Sequence, residues 1–194
     1  GTAISGRNES GEETDDGLSV LDITKHAMRT FIEGSTENDT CTIYSFSNKA
    51  TLCLDTRKMT LGGKGLAKVQ VEVLQANGMT NIYDALNKSL TKMNTLSDDK
   101  KKCIIFLTDG EPTSRPPRVG PNNDESHYFE RDIQNLCVEN NKQVPNIYVF
   151  GFGKRLDAKL LNNIASRTSD GHFICIPDST FTGTCIMHAM VSAK

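Results

Sequence analysis

No run of about 18 apolar residues occurs in this chain, which excludes a membrane-spanning helix. Charge of one sign is also missing. The chain has 22 Lys and Arg against 24 Asp and Glu, a net charge of -2, so nothing electrostatic points to nucleic acid as a partner. Closely spaced cysteines are lacking as well. Cys41, Cys53, Cys103, Cys137, Cys175 and Cys185 form no C-x-x-C pair, which removes the commonest zinc spacing. Gly1 to Ser10 hold no apolar core of the signal-peptide kind. Disorder is excluded as a global description by 37% hydrophobic residues and the small net charge. The 194 residues amount to one large domain, with no linker and no internal repeat. Cys41, Cys103 and Cys175 lie in apolar, β-branched runs and are expected as small buried hydrophobes. Reduced thiols in a cytoplasmic protein are the expectation that follows.

Strand-length apolar runs alternate with helical patterns. Ser19 with Asp22 three residues later predicts a capped helix start, followed by Leu21, Met28, Phe31 and Ile32 at helical spacing. Cys41 to Ser47 and Ala50 to Leu54 predict an antiparallel strand pair around a short turn. Helices are expected at about 60–76, loosened by Gly62, Gly63 and Gly65, and at 81–93. Lys102 to Leu107 is a continuous apolar run, expected as a central parallel strand buried on both faces. A helix over 124–141, a strand over 146–150, a helix carrying Leu156, Leu160, Leu161 and Ile164, a strand over 172–176 and a helix over 181–191 complete the alternation. This order predicts a three-layer α/β fold, doubly wound around a mostly parallel sheet with one antiparallel edge strand. The acidic stretch Glu9 to Asp16 reads as a solvated loop.

In such a sheet ligands bind at the carboxyl ends of the strands. Asp109 ends the most apolar strand there, and Thr80 precedes a helix at the same rim. On spacing alone, Thr80 could equally be a helix N-cap and Asp109 a turn residue before Gly110.

The run Gly78-Met79-Thr80-Asn81-Ile82-Tyr83-Asp84-Ala85-Leu86, followed by Ile104-Ile105-Phe106-Leu107-Thr108-Asp109-Gly110, strongly resembles a von Willebrand factor type A domain. Tyr44-Ser45-Phe46-Ser47 and Ile147-Tyr148-Val149-Phe150-Gly151-Phe152-Gly153 extend the likeness, in the right order, over essentially the whole chain. Gly17 to Ala27 looks most like the intracellular versions found in fungi and protists. The resemblance implies a non-enzymatic protein-binding module, one subunit or module of a larger assembly. Its divalent cation, typically Mg²⁺, would sit in a metal-ion-dependent adhesion site. Matched by position, Thr80 and Asp109 are the family's threonine and aspartate ligands. An acidic side chain of a protein partner would complete the metal shell. The implied contact rim is Gly78, Met79, Asn81, Gly110, Glu111, Arg115 and Arg118.

The chain departs from the family pattern in one place. The Asp-x-Ser-x-Ser motif and the apolar first strand that carries it are both absent. In the family that strand is central, and omitting it leaves its neighbours with unpaired backbone groups, at about 1–3 kcal/mol for each unsatisfied group. The expectation is that a strand-donating segment, preceding Gly1 or belonging to another chain, fills the gap. Closure of the flanking strands on each other is the third possibility. With Thr80 and Asp109 alone, Mg²⁺ binding is expected to be weak or absent.

Enzyme motifs fail. Gly63-Lys64 is followed by Gly65 rather than Ser or Thr, so no phosphate-binding loop forms. Gly151-Phe152-Gly153 lacks the third glycine of a dinucleotide fingerprint, and no Gly-x-Ser-x-Gly elbow occurs. His26, His127, His172 and His188 are scattered. Two alternatives are kept: a structural subunit with a degenerate, metal-free site, and a receiver-like phosphoacceptor domain using Asp109 with Lys154.

Overall fold

The first helix starts where its capping residues place it. The Asp22 N–H donates to the Ser19 hydroxyl at 3.2 Å, and the Asp22 carboxylate accepts from the Ser19 N–H at 2.9 Å. Two orphan donors of the first turn are thereby satisfied. The helix, α1, runs Val20–Gly34 and buries Val20, Ile23, Ala27 and Ile32. Of the expected stripe, Ile32 is buried and Met28 and Phe31 pack half-buried against the core, while Val20, Ile23 and Ala27 join them as the other inward positions. These elements belong to a computed structural model that describes residues 3–7, 13–76, 78–114, 124–153 and 156–176.

Before α1, β1 (Ala3–Arg7) and β2 (Glu13–Ser19) form an antiparallel pair. This corrects the loop expected over the acidic stretch: Glu13 pairs with Arg7, Thr14 with Gly6 and Asp15 with Ser5. Backbone pairing to a partner close in sequence overrides the low strand propensity of Asp and Glu. After α1 come β3 (Thr40–Phe46) and β4 (Ala50–Lys58), antiparallel around the turn at Ser47 to Lys49. Helices α2 (Leu61–Glu72) and α3 (Ile82–Asn94) follow. Then β5 (Cys103–Thr108), β6 (Asn146–Phe152) and β7 (His172–Ile176) form a parallel three-stranded sheet in that order. Its crossovers carry α4 (His127–Ile133), which runs on through a π-helical turn at Gln134–Val138, and α5 (Ala158–Ala165). The helix expected from residue 124 starts later because the Asp124 carboxylate takes the Ser126 N–H in a turn. The helix expected over 181–191 lies outside the described residues.

Helices cover both faces of the parallel sheet, as the alternation requires. Ile147 and Val149 of β6 pack on one side with Leu86 and Leu90 of α3, Phe129 of α4 and Leu161 of α5. Tyr148, Phe150 and Phe152 pack on the other with Val20, Ile23 and Ala27 of α1. The two-residue alternation of a strand sorts β6 cleanly between these layers. A third cluster joins Ile32 of α1 and Ala67 and Val71 of α2 to Ile43 and Leu54 of the β3–β4 pair.

The strand β5 departs from expectation. Ile104, Phe106 and Thr108 are buried, but Cys103 is exposed and Ile105 is 37% exposed. The reason is that, among the described residues, β5 pairs with β6 alone, and β3 with β4 alone. Both-face burial needs neighbours on both edges, and β5 has one. Cys41 is half-buried and Cys175 exposed, whereas Cys137 is buried, so the small-hydrophobe role falls to a different cysteine. The five described cysteines are free thiols.

Two sets of contacts yield predictions. A methyl group on Gly63 would lie 1.9 Å from the Lys58 carbonyl oxygen, so this glycine permits close approach of α2 to β4 and does not loosen the helix. Nothing lies within 4 Å of such a group on Gly65. In urea melts we expect Gly63→Ala to destabilise by about 1–3 kcal/mol and Gly65→Ala to stabilise by about 0.5–1 kcal/mol. The second set is carboxylates. Burial works to raise Asp84, but the Ala50 N–H at 2.6 Å and the Lys88 ammonium at 3.0 Å outweigh it and hold its carboxyl below the ordinary range. Asp124 is lowered likewise: burial opposes, while Ser126, Asn163 and Arg167 prevail. A carboxyl lowered in the folded state contributes stability that is complete above its unfolded pKa, about 3.9, and is lost as pH falls through the folded value. Urea midpoints should therefore stay level from neutral pH to about 5 and fall below about 4, with a shallower fall in Asp84→Asn.

Candidate functional site

The carboxyl ends of β3 and β5 and the amino end of α3 meet at one rim. Three short segments build it: the β3–β4 turn at Ser47 to Lys49, residues 78–81 ahead of α3, and residues 109–114 after β5. Polar groups of the main chain hold them together. The Asn81 N–H donates to the Ser47 carbonyl at 2.9 Å, and the Asn81 side-chain amide donates to the Asn48 carbonyl at 3.1 Å. The Met79 N–H donates to Asn48 Oδ1 at 2.8 Å. On the other side, the Thr80 N–H donates to Thr113 Oγ1 at 2.7 Å, and the Thr113 N–H donates to the Thr80 carbonyl at 3.1 Å. Both backbone groups of Thr80 are thus tied to the loop that follows β5.

Gly78 makes this arrangement possible. Its φ is +70°, in the left-handed region, and a methyl there would lie 2.7 Å from Asn48 Oδ1 and 3.2 Å from Ser47 Cβ. Any L-side chain would meet both a torsional cost and a clash with the turn that Met79 binds.

The helix cap is Asn81, whose Oδ1 accepts from the Asp84 N–H at 3.2 Å. This corrects the sequence alternative in which Thr80 caps α3. Capping geometry needs the residue just outside the first helical turn, and Ile82 begins that turn. A methyl built on Gly110 would lie 4.0 Å from Thr80 Oγ1, so the threonine hydroxyl faces the backbone just past Asp109. Asp109 and Glu111 are exposed, and Met79 is 48% exposed. Of the residues expected at the rim, Gly78, Met79, Thr80, Asn81, Asp109, Gly110 and Glu111 belong to these adjoining segments. Arg115, Arg118 and Lys154 lie outside the described residues.

The donor chemistry sets what the rim can hold. A threonine hydroxyl and an aspartate carboxylate are hard oxygen donors of the kind Mg²⁺ prefers. Among the described residues, no group of three or more His, Cys, Asp or Glu stands together to hold a metal. Thr80 and Asp109 supply two such donors, whereas Mg²⁺ takes about six ligands. Asn48 and Thr113 were not singled out by sequence. Asn48 reads only as a turn residue, and no local signal ties it to Met79, 31 positions away.

Known proteins place this fold. A family profile described as von Willebrand factor type A domain matches residues 10–186. Among solved structures, a von Willebrand factor type A protein from Catenulispora acidiphila superposes with a TM-score of 0.73 at 18% identity, over 90% of this chain and 38% of that one. The conserved hypothetical protein BatB from Bacteroides thetaiotaomicron gives 0.65 at 15% identity, over 89% of this chain and 87% of that one. Proximal thread matrix protein 1 from the mussel byssus, with a zinc-occupied MIDAS motif, gives 0.64 at 15% identity, over 90% and 43%. The chain thus spans well under half of the Catenulispora and mussel proteins. At these identities the likeness shows the fold, and together with the profile match it establishes that this chain belongs to the von Willebrand factor type A domain family.

Proposed function

We propose that this domain binds a protein partner through a divalent cation held in part by Thr80 and Asp109. Domains of this family commonly mediate protein interactions and are generally not enzymes. The observation that carries the reading is the double tie between Thr80 and Thr113, which holds the threonine beside the Asp109–Gly110 turn while Asn81 takes over the cap. When bound, the cation supplies a positive centre for a partner's carboxylate. The chain's own contribution is to hold two hard oxygens at an exposed rim, with Asn48 and Thr113 as positioning residues. Gly78, Met79, Asn81, Gly110 and Glu111 form the surrounding contact surface, extended by the segment carrying Arg115 and Arg118. The other protein ligands arrive with a further segment. A metal-free interaction surface is the second reading, favoured by the count of two donors.

Manganese replaces magnesium as the probe. In nuclear magnetic resonance spectra of the chain with Mn²⁺ at millimolar concentration, we expect selective broadening of amides in 78–81 and 109–113. Asp109→Ala and Thr80→Ala should remove it, and Thr113→Val should weaken it while leaving the melting temperature within a few degrees. Broadening centred elsewhere, or unchanged in Asp109→Ala, would leave the metal-free reading in its place. Zn²⁺ is the competing ion to include, given the occupied site of the mussel protein.

A further inference from the structure

The helix α2 turns all of its charge toward α1. The Lys64 ammonium donates to the Glu33 carbonyl at 2.8 Å, Lys68 pairs with the Glu33 carboxylate, and Glu72 pairs with Arg29 at 2.5 Å. The edge that meets the core is small and apolar, with Gly63, Ala67 and Val71 buried. The flank that remains is apolar too, and nothing among the described residues covers it. Leu66 is 49% exposed, Val69 57% and Val73 65%. With Leu61 they are four of the eight large apolar side chains exposed among the described residues, so half of that surface is gathered on one helix and its cap. Scattered apolar residues need no partner, but a contiguous group of this kind marks an interaction surface.

The order of the residues says what the surface fits. Gly62, Leu66, Val69 and Val73 follow one another at intervals of four, three and four, the alternation of a two-helix seam. At 100° per residue they fall within about 60° of one another around the helix axis. Nothing lies within 4 Å of a methyl placed on Gly62, so one end of the seam is an open notch and the other carries the exposed Val73.

A charged partner finds no counter-charge on this seam, because Lys64, Lys68 and Glu72 are engaged on the other flank. The same helix turned end for end does match it. Val73 then faces Gly62 of a second copy and Leu66 faces its Val69, with a two-fold axis between them. Each bulky position meets the notch or another aliphatic side chain, as close packing requires. Two copies aligned in the same direction would set Gly62 against Gly62 and Val73 against Val73, a void at one end and crowding at the other. Antiparallel helices also oppose their dipoles favourably.

We propose that the Gly62, Leu66, Val69 and Val73 seam of α2 is a self-association surface, through which two copies of this domain pack α2 against α2, antiparallel across a two-fold axis. The twelve residues of α2 span about 18 Å, which places the contact at the small end of interfaces. The dimer is therefore weak, with a midpoint on the order of 100 µM. Its formation uses no group of the Thr80 and Asp109 rim and needs no cation.

Sedimentation of the full chain in EDTA, from about 10 µM to about 1 mM, tests this. We expect a reversible passage from monomer to dimer. Leu66→Glu and Val69→Lys, both at exposed positions, should each raise the midpoint at least about tenfold while leaving the melting temperature within a few degrees. An equimolar mixture of the two variants should dimerise again. Only the end-for-end register sets the introduced carboxylate of one chain against the introduced ammonium of the other; alignment in the same direction leaves both without a counter-charge. A chain that stays monomeric throughout, a dimer that survives either substitution, or a mixture that fails to recover association would each overturn the seam. Dimerisation with Mn²⁺ broadening absent sinks the cation reading alone, and the reverse result sinks the seam alone.

Discussion

A strand buried between helix layers must find backbone partners on both edges, because an unpaired N–H or C=O away from water costs free energy comparable to a lost hydrogen bond. Among the described residues β6 meets that demand and is buried from Ile147 to Phe152, whereas β3 and β5 meet it on one side each. The exposure of Ile105 and Cys103 and the division of the core beneath α1 all derive from this single shortfall. Even the thiols register it. Burial pushes Cys41 up to about 11, with the neighbouring Cys103 adding to the effect, and Cys103 is raised by its surroundings and by Asp39 although its surface reaches water.

The rim is organised independently of that gap. Its segments come from three places in the chain and are held by backbone hydrogen bonds to two short polar side chains, Asn48 and Thr113. Such bonds fix loop positions with little dependence on the surrounding packing, so the Thr80 and Asp109 segments stay together even though the sheet between β3 and β5 is not continuous. Asp84 adds a further tie by joining the first turn of α3 to the start of β4.

Family membership sharpens the meaning of both features. The chain matches a von Willebrand factor type A profile over most of its length, and its Thr80 and Asp109 segments adjoin at one rim of that fold. Members of this family commonly act by binding proteins.

Much of this was legible in the order of the residues. The capping box at Ser19, the alternation of apolar strands and helices, and the placement of Thr80 and Asp109 at strand and helix ends depend on neighbours within a few positions, where local propensity and periodicity suffice. Tertiary structure decided the rest. It assigned the cap to Asn81 and made Gly63 a packing glycine. It also recruited Asn48 and Thr113 to the rim, exposed one side of β5 and drew the acidic residues of β2 into a strand. Each of these depends on atoms brought together from distant parts of the chain. Local sequence carries no record of which distant atoms will meet, because only the closed fold sets those distances.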